Sequence, residues 1–455
     1  MTDPADPEQN RFTARASRYA KVGANMGGVA ARMAGSLIAG RSSGGDRANA
    51  AALTRALGSL KGPLMKVAQL LATIPEAIPA EYADELRQLQ SEAPPMPYVF
   101  VRRRMAAELG PDWLSKFASF EREPAAAASL GQVHRATGHD GRRLACKLQY
   151  PDMESAVEAD LKQLNLIFAL HSQFGGVIDT SEIKKEIGER IREELDYVRE
   201  ARHAKLYRHM LANEPLIRVP EVIPALSTRR LLTLEWLDGE KLLSFKEASE
   251  DIRNRIATAM FRAWWHPFSH YGVIHGDPHL GNYTVFRNGA TEPAGINLLD
   301  YGCIRIFPPR FVAGVVDLYR GLLEGDEART IHAYEVWGFR NLGRDLIEVL
   351  NIWARFIYGP LLDDRVRTIA DGISPGQYGR AEAARVHKAL KERGPVTIPR
   401  EFVFMDRAAI GLGGVFLHLE ARLNFFALFN AEIEGFSAEN IAQNQHNALK
   451  TANLA

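Results

Sequence analysis

The sequence predicts a mixed α+β fold in which a short strand-rich segment is followed by a larger helical one. Strand-like runs lie at 117–120, 131–136 and 143–148, and the turn His139-Asp140-Gly141 makes a hairpin of the last two. Another strand-like run spans 229–236, and the chain after about 245 is mainly helical apart from two polar loops. At 455 residues, the chain is long enough for two or three domains.

The composition is that of an ordinary globular protein. Charged residues make up 24% and apolar residues 46%, and Lys+Arg 56 against Asp+Glu 55 gives a net charge of +1. This balance argues against nucleic acid as a partner. The two cysteines, Cys146 and Cys303, are too few for a disulfide framework, and we interpret both as small buried residues.

The N-terminal segment lacks the features of a signal peptide, because it opens with acidic residues and has no apolar core. The Gly/Ala-rich run at 22–40 is interrupted by Arg32, so it is not expected to span a membrane. We interpret it as a helix packed on its own protein, with peripheral contact at the inner membrane as the alternative. The expected location is therefore the cytoplasm.

Helices are predicted on both sides of the first strands. From about 47 to 90 the leucines recur at three- and four-residue steps, and Lys66 and Gln69 share a face of this helix. A further helix is predicted at about 98–109, ending before Gly110-Pro111. A long helix is predicted from about 180 to 210, and its expected apolar face consists of Ile183, Ile187, Ile191, Leu195 and Val198.

The two polar loops carry the strongest functional signal. His275-Gly276-Asp277-Pro278-His279-Leu280-Gly281-Asn282 places an Asp and an Asn five residues apart, and Asp300-Tyr301-Gly302 follows an apolar run. Phosphoryl-transfer enzymes need one carboxylate at the attacking group, and an amide with a second carboxylate to hold the metal. The spacing is that of kinase catalytic and metal loops. A metal site of His275, Asp277 and His279 is a weaker alternative.

Lys147 ends an apolar strand, from which a lysine can reach nucleotide phosphates if a helix carboxylate holds it. Glu194 is the best candidate for that carboxylate, although a solvated surface charge is the alternative. Asp196 and Glu200 are four residues apart and are expected to share a helix face.

An alanine tract occupies the position of the glycine-rich phosphate loop. The segment 124–132 reads Pro-Ala-Ala-Ala-Ala-Ser-Leu-Gly-Gln. Alanines restrict the backbone more than glycines do, so this loop should be stiffer and should hold phosphates differently. The alternative interpretation is the start of an alanine-rich helix.

Together these motifs resemble the UbiB/AarF family of atypical kinase-like proteins, which is linked to ubiquinone biosynthesis. The resemblance covers about residues 20–430 and includes the K-x-G-Q helix at 66–69, the alanine tract at 126–134 and the E-x-D motif at 194–196. Ala68 replaces the family's glycine, and Gly276 and Leu280 replace the usual Ala and Pro.

The resemblance implies a two-lobed protein-kinase-like fold. It divides the chain into a flexible N-terminus (1–45), a helical extension (46–112), a β-rich N-lobe (113–237) and a helical C-lobe (238–455). ATP and Mg²⁺ are the implied cofactors. The implied roles are catalysis by Asp277, Lys147 and Glu194, metal binding by Asn282 and Asp300, nucleotide binding by Ala126, Ala127, Ala128, Ser129, Gln132, Lys147, Glu235 and Leu237, and regulation by Lys66, Gln69, Asp196 and Glu200.

The expected function is Mg²⁺-dependent ATP hydrolysis that supports isoprenoid-quinone biosynthesis. The expected partners are ATP and, by resemblance, quinone precursors, lipids or quinone-biosynthesis enzymes. The alternatives are a kinase of small molecules or lipids, and a nucleotide-binding scaffold with little turnover.

Overall fold

A computed structural model describes residues 95–128, 130–155, 157–158, 161, 188–189, 191–289, 292–340, 342–370 and 400–455. Lys66, Gln69, Ser129 and the predicted helices before residue 95 lie outside the described residues. The chain divides into two compact units, Met1–Val198 with Ile223–Trp236, and Arg199–Val222 with Leu237–Ala455. The segment Arg199–Val222 is thus grouped with the second unit, whereas the sequence-based division kept 113–237 together.

In chain order the helices and strands are α1 Tyr98–Leu109, β1 Ser119–Ala128, β2 Gly131–Thr137, β3 Arg143–Gln149, α2 Tyr197–Met210, β4 Ile217–Arg218, β5 Leu231–Glu235, β6 Glu240–Lys241, α3 Glu250–Tyr271, β7 Val273–His275, β8 Tyr283–Asn288, β9 Glu292–Leu298, β10 Ile304–Ile306, α4 Pro309–Glu324, α5 Glu327–Trp337, α6 Arg344–Tyr358, α7 Arg400–His418, α8 Phe425–Glu432 and α9 Ala438–Thr451.

The first unit is built on an antiparallel sheet in the order β1-β2-β3-β5. Strand β3 alternates, so that Leu144, Cys146 and Leu148 are buried in one core with Val101 and Met105 of α1. Helix α1 confirms the prediction at 98–109 and ends at Gly110, whose φ of 92° favours glycine.

The predicted long helix at about 180–210 is interrupted within the residues that the structure describes, and Ile183 and Ile187 of its predicted apolar face lie outside those residues. Residues 191–194 are helical, but Leu195 and Asp196 interrupt the helix, and α2 begins at Tyr197. The N–H groups of Leu195 and Asp196 donate three residues back, to Arg192 and Glu193, and this tighter turn ends the first segment. The helical phase is lost there, and Val198, predicted on the apolar face, is exposed.

The second unit combines short strands with the remaining helices. Strand β7 pairs with β10, and a second sheet has the order β4-β9-β8-β6. Helix α3 contacts β7 and β9, ends at Gly272 with φ 65°, and buries Trp264 and Phe268. The connections from β7 to β8 and from β9 to β10 are the two motif loops. Within the described parts of the chain, no helix has the length and apolar character needed to cross a bilayer.

Candidate active site

The alanine tract forms a strand rather than a loop or a helix start. Ala126, Ala127 and Ala128 belong to β1 and pair with Val133, Gln132 and Gly131 of β2. A β-carbon added to Gly131 would lie 2.2 Å from the Leu148 carbonyl oxygen, so this position requires glycine. These alanines are therefore held by strand pairing.

Lys147 lies in the centre of the first sheet, where β3 pairs with both β2 and β5. Its side chain is half-buried, and its Nζ lies 5.3 Å from the ring centroid of Tyr197. Gln149, two residues along the same face, donates from Nε2 to the Leu195 carbonyl oxygen at 3.2 Å. Residues 191–197 are thereby fixed against the face of the sheet that carries Lys147.

This arrangement bears on the acidic residues of the E-x-D motif. Glu194 is half-buried in the segment anchored by Gln149, which is consistent with a partner for Lys147. The predicted shared face of Asp196 and Glu200 is not observed, because Asp196 lies outside α2 and is exposed whereas Glu200 is buried. Glu200 also lies near Tyr301 of the metal loop. Burial is the main cause that raises the pKa of the Tyr301 hydroxyl, and the charges of Tyr207, Asp300, Tyr283 and Glu200 raise this pKa further.

Gln132 has a structural environment that the sequence did not indicate. It is fully buried, and its Oε1 accepts from the Met96 backbone N–H at 2.6 Å. Its Nε2 lies 2.8 Å from His134 Nε2 and 3.4 Å from the Met96 carbonyl oxygen. The amide that was predicted to bind nucleotide thus ties the segment before α1 to β2.

The predicted hinge lies where the chain passes from the first unit to the second. Glu235 ends β5 opposite Leu144, and the Trp236 N–H donates to the Arg143 carbonyl oxygen at 2.8 Å. Glu235 and Leu237 are half-buried. Residues in such a position can offer backbone groups to an adenine ring, as the resemblance implies.

In the second unit, the catalytic loop runs from the end of β7 to the start of β8. Asp277 and Asn282 come together there: Asn282 Nδ2 donates to the Asp277 carbonyl oxygen at 3.1 Å and to Asp277 Oδ2 at 3.3 Å. Both side chains are half-buried. Because the amide nitrogen is engaged with Asp277, the amide oxygen is the atom of Asn282 that is suited to a metal.

His275 joins the catalytic loop to the metal loop. Its Nδ1 accepts from the Asp277 backbone N–H at 3.2 Å, so its Nε2 carries the proton and donates to the Asp300 carbonyl oxygen at 2.8 Å. The ring is buried beside Tyr207, Trp264 and Tyr283. In the sequence, this linking role was indicated only by the presence of a histidine at the first position of the motif.

Asp300 is oriented by its own loop. The Gly302 N–H donates to Asp300 Oδ1 at 3.0 Å, and His203 Nδ1 lies 3.1 Å from the Tyr301 carbonyl oxygen. Half-buried carboxylate and amide oxygens are the donors that Mg²⁺ prefers, so Asp300 and Asn282 fit this ion. The alternative of a His275–Asp277–His279 site is not supported, since His275 is engaged with backbone and His279 Nδ1 accepts from Gly281 N–H.

Comparisons with known proteins agree on one family. A model of the ABC1 atypical kinase-like domain matches residues 88–334. The mitochondrial atypical kinase COQ8 of Saccharomyces cerevisiae is 30% identical over 261 residues, 57% of this chain and 51% of that protein. The chloroplastic ACTIVITY OF BC1 COMPLEX KINASE 7 of Arabidopsis thaliana is 34% identical over 373 residues, 80% of this chain and 51% of that protein.

A solved structure has a similar fold. The complex of Rv3197 with erythromycin from Mycobacterium tuberculosis has a TM-score of 0.58 and 26% identity, and covers 83% of this chain and 93% of that one. The predicted kinase-like α+β fold is confirmed. The chain spans about half of the length of the two curated relatives described above, 51% in each case.

Proposed function

Because the chain belongs to the ABC1 atypical kinase-like family, we propose that it is a Mg²⁺-dependent ATPase that supports isoprenoid-quinone biosynthesis. The observation that carries the proposal is the coupling of the catalytic and metal loops through His275. One imidazole orients Asp277 and Asp300 together, and Asn282 contacts Asp277 directly. Preorganised charges of this kind are what phosphoryl transfer requires.

Each polar group has a proposed role. Asp277 orients the attacking water, and Asn282 and Asp300 hold Mg²⁺, which neutralises phosphate charge when bound. Lys147 contacts the α- and β-phosphates and is held by Glu194. The backbone at Glu235 and Leu237 binds the adenine ring.

Hydrolysis, rather than phosphorylation of a peptide, is proposed for two reasons. Ala126, Ala127 and Ala128 belong to a paired strand, so they have less freedom to follow the phosphates than a glycine-rich loop. By resemblance, Lys66 and Gln69 with the acids around Asp196 block a peptide-binding site. Quinone precursors and lipids at the inner membrane are the proposed partners.

The test is ATP turnover by the purified chain with and without Mg²⁺. Asp300→Asn and Asp277→Asn should each lower turnover at least about 100-fold, since each removes several kcal/mol of charge stabilisation. Asp251→Asn, at an exposed position in the first turn of α3, is the matched control. Unchanged turnover in Asp300→Asn would contradict its assignment.

Added lipid vesicles and a phenolic mimic of a quinone precursor distinguish the remaining alternatives. Stimulated release of phosphate supports a regulated ATPase. A phosphorylated mimic in equal amount to ADP would indicate a small-molecule or lipid kinase instead. Tight nucleotide binding without turnover in every condition would indicate a scaffold.

A further inference from the structure

A cluster of histidines and buried carboxylates lies in the second unit, outside the residues assigned to nucleotide chemistry. His266 and His270 are one turn apart on α3, with ring centroids 4.3 Å apart. Glu432, at the end of α8, and Glu214, just after α2, face them. Three separate parts of the second unit therefore converge on one polar site.

The charges of this cluster do not balance. The side chains of Glu214 and Glu432 are only 5% and 7% exposed, and both are paired with the single guanidinium of Arg262, at 2.8 and 3.6 Å. The two carboxylates and the one guanidinium together carry a net charge of −1. Buried charge is costly unless it is matched, so a further cation is favoured here.

Two details indicate where that cation binds. The oxygens of Glu432 are divided, since Oε1 faces Arg262 whereas Oε2 faces the imidazoles. Glu214 Oε2 is buried without a hydrogen-bond partner in the described part of the structure. Both carboxylates thus present an oxygen that Arg262 does not neutralise.

The distances fit a small tetrahedral metal ion. Zinc–nitrogen and zinc–oxygen bonds of about 2.0–2.1 Å at tetrahedral angles place two ligand atoms about 3.3–3.4 Å apart. His266 Nδ1 lies 3.4 Å from Glu432 Oε2, and His270 Nδ1 lies 3.9 Å from the same oxygen. One ligand atom from each of the three residues lies within 4.8 Å of the others.

His270 must give up its present contacts to bind the ion. Its Nδ1 also lies 2.9 Å from Ser269 Oγ and 3.2 Å from the His266 carbonyl oxygen, and it would exchange these contacts for the metal. The side chain is 37% exposed, so it has room to rotate towards the ion. The same exposure provides a path by which an ion can enter.

We propose that His266, His270 and Glu432 bind one divalent transition-metal ion of the zinc class, with Glu214 adding negative charge beside it. Two imidazoles and one carboxylate select zinc-class ions over Mg²⁺ and Ca²⁺, which prefer oxygen ligands. The ion would cross-link α3 and α8, both within the second unit. This ion would be distinct from the Mg²⁺ proposed for ATP.

The experiment is a zinc titration of the full chain, purified without a polyhistidine tag and dialysed against a chelator. Competition with a chromogenic chelator should give one site per chain. Since changes even in outer-shell partners cost 10–100-fold in metal affinity, His266→Gln, His270→Gln and Glu432→Gln should each weaken binding at least about 100-fold. His332→Gln, at an exposed histidine on α5, should bind as the unmodified chain does.

A second measurement distinguishes a metal-binding site from a polar cluster that stabilises the fold without metal. Zinc should raise the unfolding midpoint of the unmodified chain and of His332→Gln, but not that of His270→Gln, whose fold is checked by circular dichroism. His270→Gln is the informative variant because its half-exposed side chain is the least critical for packing. Zinc binding that is absent in the unmodified chain, retained in His270→Gln, or displaced equally well by Mg²⁺ would overturn the proposal.

Discussion

Replacing Gln132 by Leu separates a structural role for this residue from the nucleotide-binding role that the sequence predicted. The side chain is completely buried, and leucine has a similar volume but no hydrogen-bonding groups. The substitution therefore removes the partners of the Met96 N–H, at 2.6 Å, and of His134 Nε2, at 2.8 Å. The contact to the Met96 carbonyl oxygen, at 3.4 Å, is long and contributes little.

The cost follows from the two groups left buried without partners. Each unsatisfied donor or acceptor costs about 1–3 kcal/mol, so the two together should cost about 2–6 kcal/mol. Because Gln132 ties the segment before α1 to β2, the loss should be concentrated in that segment. The pairing of β2 with β3, which positions Lys147, is between backbones and is retained, so the KM for ATP should change less than about twofold.

Amide hydrogen exchange measured by mass spectrometry gives the local readout. Peptides covering Met96–Leu109 should exchange at least about 30-fold faster in Gln132→Leu, since about 1.4 kcal/mol corresponds to tenfold. The control is Gln443→Leu on α9, where the glutamine is exposed and donates to Asn447, and its stability should stay within about 0.5 kcal/mol of the unmodified chain. Unchanged exchange together with a tenfold higher KM for ATP would refute the structural role.

Three further outcomes are expected. Gly131→Ala should destabilise the chain by about 1–3 kcal/mol, because the added β-carbon would lie 2.2 Å from the Leu148 carbonyl oxygen. Gly414→Ala in α7 places its β-carbon in open space and should stabilise the chain by about 0.5–1 kcal/mol. Denaturation midpoints measure both effects. Burial lowers the pKa of His134 in the folded chain, so the unfolded chain binds more protons as pH falls below about 6.5. Stability should then decrease by at most about 1.4 kcal/mol per pH unit, and thermal unfolding of His134→Asn between pH 7.5 and 5.5 should lack this part of the slope. Burial raises the pKa of the Cys146 thiol to about 12, so iodoacetamide at pH 8 should label it only after unfolding.

Local patterns in the sequence were sufficient for much of the fold. The alternation of β3, the turn before it and the proline and glycine that bound α1 are short-range signals, and the structure has these elements where they were predicted. The interruption at Leu195-Asp196 was missed because the apolar spacing continues across it. The break depends instead on contacts that the sequence does not display, such as the bond from Gln149 to the Leu195 carbonyl oxygen.

The alanine tract shows how a motif can be identified correctly while its conformation is misjudged. Its position before Lys147 suggested a loop, since the corresponding kinase segment is rich in glycine. Alanine, however, lacks glycine's access to positive φ and can continue a paired strand, which Ala126–Ala128 do opposite β2. The composition of the tract therefore decides where the turn begins.

The polar residues of the motifs fall into two groups: those whose role the sequence indicates, and those whose role depends on contacts in the folded structure. Asp277, Asn282 and Asp300 could be selected from the sequence because phosphoryl transfer requires their chemical groups at fixed spacing. Gln132 and His275 could not be assigned, because their roles depend on which distant backbone groups they meet. For His275 both nitrogens are committed, one accepting from Asp277 and the other donating to Asp300, and only the neutral Nε2–H tautomer satisfies both contacts. The relative placement of the two loops thus depends on a side chain that does no chemistry itself, which is why spacing alone identifies the reacting groups but not what aligns them.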